Sequence, residues 1–317
     1  MSTADIGYII AFISMFVGAL STFPFTDAAR EWGSVATNHY RLIVAFVVLS
    51  IFCMLYDKIS PLVLFTTPTA IQYLYLSSSG IIGLVIGDYF AFHSMAILGA
   101  RNSTIFNTLA PGSAFVFGFL ILGEDIGLLG FIGVVVSIGG MIWFLRGSGE
   151  AEDKAINIHE YGSVKKGIIF GVLSGLCQGF HITLSKKGLT GISPVHATWI
   201  RVAAATIAYF TLTLIQGKLK GVMDVIRTKK HLIFRTTYAT IFGMVLSIIL
   251  VMYSVRMAEV SVVQTILSLG PLIVVPMAYI LYKERITFQT LLAATVTIAG
   301  VVILIWRDNI LSWLHWH

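Results

Sequence analysis

The sequence predicts an all-α polytopic membrane protein, with ten transmembrane helices arranged as two inverted five-helix repeats. Composition is the first sign: of 317 residues, 57% are hydrophobic and 11% charged, whereas soluble domains carry about 25% charge. Apolar runs near twenty residues then recur along the chain, and mean hydropathy is +0.88, as membrane-spanning helices require. Finally, one stretch occurs twice, Leu109-Ala110-Pro111 through Glu124 and Leu269-Gly270-Pro271 through Glu284. Each copy sets a proline early in an apolar run and a glutamate thirteen residues later, and the copies stand 160 residues apart.

The apolar segments fall at 6–25, 34–56, 69–98, 101–123, 126–145, 165–187, 194–216, 231–257, 260–283 and 286–306. The N-terminus, Met1 to Asp5, lacks the basic leader and cleavage site of a secretory signal, so the first run is expected to be a retained span. Only Glu124-Asp125 separates the fourth run from the fifth, which makes those two an antiparallel hairpin. The longest polar link, Arg146 to Ser163, is the natural boundary between halves. Net charge is +6, but basic loops in such a chain set membrane orientation, so no nucleic-acid partner is inferred. Cys53 and Cys177 both fall inside apolar runs, where buried single thiols are expected and neither a disulfide nor a metal site is.

Sliding the sequence by 160 aligns the halves without a gap: Gly7 with Gly167, Ser14 with Ser174, Arg41 with Arg201, Gly83 with Gly243, Pro111 with Pro271, Glu124 with Glu284 and Gly140 with Gly300. Five spans is an odd number, so the second copy enters the membrane upside down, the architecture of alternating-access carriers. The glycines at 167, 171, 175 and 179 lie along one helix face and predict close helix packing.

Thirteen residues of helix cover roughly 20 Å, so each glutamate lies near a surface and each proline at depth. A proline there frees a backbone carbonyl one turn earlier. Such a group must be satisfied by protein or line a wet cavity. Two matched breaks therefore point to a binding site on the repeat interface, with Pro111 and Pro271 in it.

Arg41 in Tyr-Arg-Leu-Ile-Val-Ala, Arg201 in Ile-Arg-Val-Ala-Ala, and the Pro111–Glu124 and Pro271–Glu284 elements together resemble the EamA unit of the drug/metabolite transporter superfamily. The resemblance covers nearly the whole chain. It divides the chain into a first EamA-like five-helix repeat over 1–147, a linker over 148–163 and a second, inverted repeat over 164–317. It implies a carrier with a central cavity that moves amino acids, drugs, nucleobases or similar metabolites, mostly outward. The chain departs from the pattern at Ser94-Met95, where Ala-Leu is common, and at Gly87-Asp88.

An ionisable side chain at bilayer depth costs on the order of 3 kcal/mol and needs a partner or water. Arg41 and Asp88 lie at depths within about one helical turn of each other, which predicts an ion pair of structural or coupling use. Snorkelling of Arg41 to the interface is the plainer alternative. Arg201 occupies the matching place, but Ile248 stands where its acid would be. It either caps carbonyls or meets a substrate carboxylate or phosphate. Ser174, Gln178, His181 and Ser185 form one polar stripe, with Ser14 in the counterpart helix. Asn107 and Pro111 mark another stripe, and Gln264, Ser268 and Pro271 a third. Tyr89, His93, Trp199 and Tyr253 add aromatic surface with polar tips, which suits an amphipathic ligand and also suits plain packing. Glu124 and Glu284 read as helix-end groups that solvate the hairpins and cap helices, with a gating ion pair as the alternative.

The candidate substrate-binding residues are thus Ser14, Tyr89, His93, Asn107, Pro111, Gln178, His181, Trp199, Arg201, Tyr253, Gln264, Ser268 and Pro271. The expected function is a secondary transporter that moves a small organic metabolite, an amino acid or similar amphipathic solute, by alternating access and in the export direction. A flippase or carrier for a lipid-linked or phosphorylated substrate is the alternative. The partners expected are a small-molecule substrate, the lipid bilayer and a coupling proton, through His93 or Asp88. No cofactor and no metal are expected. His-Glu-x-x-His, Gly-x-Ser-x-Gly and phosphate-loop motifs do not occur in the sequence, so enzymatic chemistry is not expected. A bacterial cytoplasmic membrane is the expected location. Lys and Arg number 14 in the loops opposite the termini and five on the terminal side. That count predicts both termini outside, whereas the resemblance implies both inside.

Overall fold

The computed structural model describes residues 2–55, 66–94, 97, 105–147, 164–270, 272–273, 277 and 288–313. All the regular structure among them is helical. The chain runs through α1 (Thr3–Leu20), α2 (Thr22–Trp32), α3 (Ser34–Leu55), α4 (Ala70–Ser94), α5 (Phe106–Leu122) and α6 (Gly127–Gly147). It continues through α7 (Val164–Gly188), α8 (Pro194–Ile215), α9 (Leu219–Thr228), α10 (His231–Met257), α11 (Val260–Leu267), α12 (Phe288–Ile305) and α13 (Arg307–Trp313). Six of these, α1, α3, α4, α7, α8 and α10, are long and apolar enough to cross a membrane, and α5, α6 and α12 hold shorter apolar stretches. Large apolar side chains stay exposed along them, among them Ile9, Phe16, Val47, Ile51, Ile207 and Leu291. In water such a belt would be a liability; it is the surface a bilayer covers. Pro271, Glu284 and the 148–163 link lie outside the described residues.

Local chemistry sets the helix ends. Ser2 and Asp5 close a reciprocal capping box on α1, and Thr69 and Gln72 do the same for α4. Ser193 caps α8 through the His196 N–H, with Pro194 at the first helical position. Gly123 ends α5 at φ +69°, a left-handed turn that lets the Glu124 N–H reach back to the Gly118 carbonyl at 3.2 Å. Two internal helices, α2 and α9, appear where hydropathy alone leaves loops, besides the short α13 after the last apolar run. Both are amphipathic and too polar to register as spans. Their apolar faces meet in a small cluster of Ala28, Trp32, Ala36, Val222 and Leu232 on the face opposite the termini, with Trp32 Nε1 donating to the Lys229 carbonyl.

The halves interlock reciprocally. A Cβ at Gly140 would fall 2.6 Å from the Thr297 nitrogen, and one at Gly300 would fall 2.5 Å from the Ser137 nitrogen. Both pairs are related by the 160-residue offset, so α6 and α12 cross about a two-fold axis. The same exchange holds elsewhere: Gly83 on α4 seats the His181 ring, and Gly243 on α10 seats Ser21. Trp199 Nε1 donates to Ser50 Oγ at 2.9 Å, while His39 stacks on Phe210 with ring centres 5.8 Å apart. The long helices α1, α6, α7, α8 and α12 thus find their closest neighbours in the other repeat. Both α4 and α10 widen into a π-helix at the crossing, over Ile81–Gly87 and Ala239–Val245, a distortion that often accompanies functional sites.

Candidate functional site

The repeat interface carries two arginine centres at equivalent positions. In the first, Arg41 on α3 pairs through Nη2 with Asp88 Oδ2 on α4. Its Nε donates to Asn38 Oδ1 at 2.8 Å, and Asn38 Nδ2 donates in turn to the Leu84 carbonyl at 3.2 Å. Phe25 and Phe92 flank the guanidinium with their rings 5.7 and 5.3 Å away. This cation therefore has a counter-charge, hydrogen bonds and aromatic cover, which is what a buried ion pair needs to be tolerated.

The second centre is built differently. Arg201 on α8 is 2% exposed. Its Nη2 lies 3.0 Å from His181 Nδ1, its Nη1 lies 3.5 Å from the Met252 sulfur, and its Nε has no partner among the described residues. Met252 is the offset mate of Phe92, so the apolar cover repeats while the carboxylate does not. No carboxylate among the described residues reaches this guanidinium. His181 Nε2 continues to Gln178 Oε1 at 2.9 Å. The α4 backbone comes close here because Gly80 has no side chain; a Cβ there would sit 2.1 Å from the Arg201 carbonyl oxygen.

Tyr89 and His93 stand one turn apart on α4 with ring centres 4.1 Å apart, joined by His93 Nδ1 and the Tyr89 carbonyl at 2.8 Å. Phe170 of the other repeat stacks on Phe90 at 5.6 Å and meets His93 edge-on at 5.9 Å. Tyr89 is 42% exposed. These rings make an accessible aromatic patch spanning both repeats. Asn107 lies half-buried in the turn that opens α5. Pro111 is buried one turn on, where α5 packs along Gly171, Gly175 and Gly179 of α7.

Other candidates are committed to packing in this conformation. Ser14 is fully buried and donates to the Ser247 carbonyl at 2.9 Å. Trp199 is buried against Ser50. Gln264 is buried in α11, Ser268 donates to the Thr265 carbonyl at 2.7 Å, and Tyr253 is half-buried in α10.

One further feature is a clasp on the terminal face, where Glu124 forms the ion pair that is the alternative to a helix-end role. Glu124 at the end of α5 accepts from Lys186 Nζ at 2.6 Å and from the Val260 N–H at 2.8 Å. It thereby caps α11, a helix of the other repeat. Lys186 also donates to the Ala258 carbonyl at 2.6 Å. Beside it, Glu259 accepts from Arg307 Nη2 at 2.6 Å and from the Tyr8 hydroxyl at 3.0 Å. Burial works against the Glu259 carboxylate, but the Arg307 guanidinium and the Tyr8 hydroxyl outweigh it and hold its pKa below the ordinary value of 4.5. Arg307 is raised in turn: burial opposes its charge, and Glu259 more than offsets that.

Two repeats packed about an approximate two-fold axis, with apolar helices outside and polar centres at their interface, are the fold of a membrane protein built from duplicated units. The sequence profile of the EamA-like transporter family matches residues 5–146 and 165–306, so the chain belongs to that family and is a membrane transporter of the drug/metabolite transporter superfamily. A solved crystal structure of a protein superposes with a TM-score of 0.70 at 12% identity, covering 95% of this chain and 97% of the other; that likeness concerns the fold alone. Among curated proteins none matches.

Proposed function

We propose that this transporter is a secondary carrier for a small organic metabolite, an amino acid or similar amphipathic solute, working by alternating access between two five-helix repeats, residues 1–147 and 164–317, with ten spans in all. The reciprocal interlock of the repeats is the observation that carries the reading. Two inverted copies packed about a two-fold axis have two related arrangements, in which each half takes the other's role and access passes from one face to the other. In the arrangement described, the clasp of Glu124, Lys186, Glu259 and Arg307 closes the terminal face. The solute would sit between the arginine centres, with Gln178, Tyr89 and His93 as its contacts and His181 behind Gln178. Export from a bacterial cytoplasm is the direction the family suggests. Asp88 or His93 would carry a coupling proton.

The test is counterflow in proteoliposomes with a competition panel of amino acids, nucleobases, sugar phosphates and cationic drugs. Saturable exchange with one class is the expected result, and absence of exchange with every class overturns the reading. A rate indifferent to an imposed pH gradient removes the proton from it.

A second reading, a flippase for a lipid-linked substrate, has one observation in its favour. A groove of about 240 Å³ opens sideways between α1 and α12, lined by Phe12, Ile298, Val301, Val302, Ile305 and Trp306. It is apolar enough for an acyl chain, but its lining holds no group for a charged headgroup. Scrambling of a fluorescent phospholipid by the reconstituted protein would favour this reading over the first.

A further inference from the structure

The hydrogen bonds of the Arg201 centre can be assigned from valence alone. A guanidinium only donates. With Arg201 Nη2 3.0 Å from His181 Nδ1, that nitrogen must accept, so the imidazole is neutral and carries its proton on Nε2. Nε2 then donates, and the atom facing it at 2.9 Å must be the oxygen of the Gln178 amide. This fixes which way the amide points. Its NH2 group turns away from His181, toward Gly87 on α4, where a Cβ would fall 3.8 Å from Gln178 Nε2. Gln178 is partly exposed, and among the described residues its amide nitrogen meets no acceptor. Two N–H donors of a partly exposed side chain therefore face the bare backbone of Gly87 at the repeat interface.

The charge behind those donors is positive and has no counter-charge among the described residues. Arg41 has Asp88; Arg201 has a neutral imidazole, a thioether and a bare Nε. In a medium of low dielectric that field favours an anionic group over a neutral or cationic one.

We propose that Gln178 is the residue that reads the solute's carboxylate, with Arg201 and His181 as positioning residues that orient its amide. The proposal rests on the carrier reading and names the chemical class of its substrate. An amide with its NH2 forward can donate an N–H to a carboxylate oxygen, and one reversed to present its carbonyl would repel it. Arg201 thus acts at a distance: without its donor, the His181 ring is free to turn and the amide to follow.

The experiment uses the full chain in proteoliposomes, with four probes that share one apolar tail: leucine, isocaproate, leucinamide and isoamylamine. Leucine and isocaproate are expected to compete in counterflow, and leucinamide and isoamylamine are expected to do so about tenfold less well or worse. Gln178→Glu should reverse that order. Gln178→Met, which keeps the shape and removes the donors, should abolish the preference, and it serves as the test if the charged variant fails to fold. Arg201→Met should raise KM for leucine with kcat kept, and Arg201→Lys, which restores a donor, should bring KM back; a merely structural arginine would lower the yield of folded protein without that split. Equal competition by leucine and leucinamide, or an unchanged order in Gln178→Glu, overturns the assignment. Exchange of a cationic drug with no response to either carboxylate also overturns it while leaving the carrier reading intact. Absence of exchange by every solute class removes both.

Discussion

Arg41 and Arg201 stand 160 residues apart at equivalent points of the two repeats, each covered by the same offset-matched neighbour, Phe92 or Met252. One leans on a carboxylate and the other on a neutral imidazole. The terminal face shows the same inequality. Of its clasp residues, only Glu124 has a chemical mate across the offset, in Glu284; Tyr8, Lys186, Glu259 and Arg307 map onto Ile168, Thr26, Gly99 and Gly147. The repeats therefore share a backbone while their charges differ. Under the alternating-access proposal, the two shapes of this scaffold would have unequal energies because the charges of the repeats differ. In that proposal the clasp holds the terminal face closed, and the residues at the offset positions do not repeat its charges.

The largest expected effect comes from making Arg41 resemble Arg201. Asp88→Asn leaves a buried guanidinium without its counter-charge, a loss of about 3–5 kcal/mol, and should lower the melting temperature in detergent and abolish transport. Arg41→Met combined with Asp88→Asn should recover most of the melting temperature. Failure of the double variant to recover would mean that the two residues are not coupled.

The reverse exchange, Ile248→Asp, offers Arg201 the carboxylate that the offset predicts. It should leave the protein folded and reduce exchange of carboxylate solutes about tenfold or more, because the neutralised arginine no longer biases the interface toward anions. A variant that exchanges at the wild-type rate would show that the two centres are not equivalent in space.

Close approach at the crossings ranks next. Gly80→Ala places a methyl group against the Arg201 carbonyl and should cost about 1–3 kcal/mol. Gly83→Ala and Gly243→Ala, related by the two-fold axis, should both destabilise through His181 and Ser21. Gly112→Ala meets nothing within 4 Å and should stay within about 0.5 kcal/mol of the parent. Thermal unfolding of the four variants measures all of this. A neutral Gly243→Ala beside a damaging Gly83→Ala would break the symmetry of the interlock.

How legible these centres are in the sequence depends on how local their causes are. Depth along two helices suffices to bring Arg41 and Asp88 together, and the 160-residue offset marks Arg201 as lacking an acid. The offset also implies the inverted repeats. His181 meeting Arg201 is a different matter, because it requires knowing that the Gly83 surface of the first repeat admits α7 of the second. Glu124 shows the same limit. As a charged residue at a helix end it reads as a local cap, whereas the helix it caps lies 136 residues further on, in the other repeat. The amphipathic helices α2 and α9 escape a hydropathy reading because their stability comes from each other's apolar faces.

The smallest effect concerns the clasp and pH. Glu259 lies outside the spanning segments, and its folded pKa is below its ordinary 4.5 because Arg307 and Tyr8 outweigh the burial that opposes its charge. A carboxylate with a depressed folded pKa contributes stability that is fully present above the unfolded value and is lost as pH falls through the folded one. The clasp should therefore be intact through neutral pH and weaken only in acid below about 4.5. Glu259→Gln removes the charge and should flatten this limb: wild type and variant should differ in melting temperature at pH 7 and converge on acidification. Labelling of a cysteine placed at Ser261, buried just inside the clasp, should quicken in wild type over the same acid range and be quick at every pH in the variant. Labelling that stays slow in the variant would mean that Glu124 and Lys186 hold the terminal face shut by themselves, and the asymmetry between the faces would then rest on that pair alone.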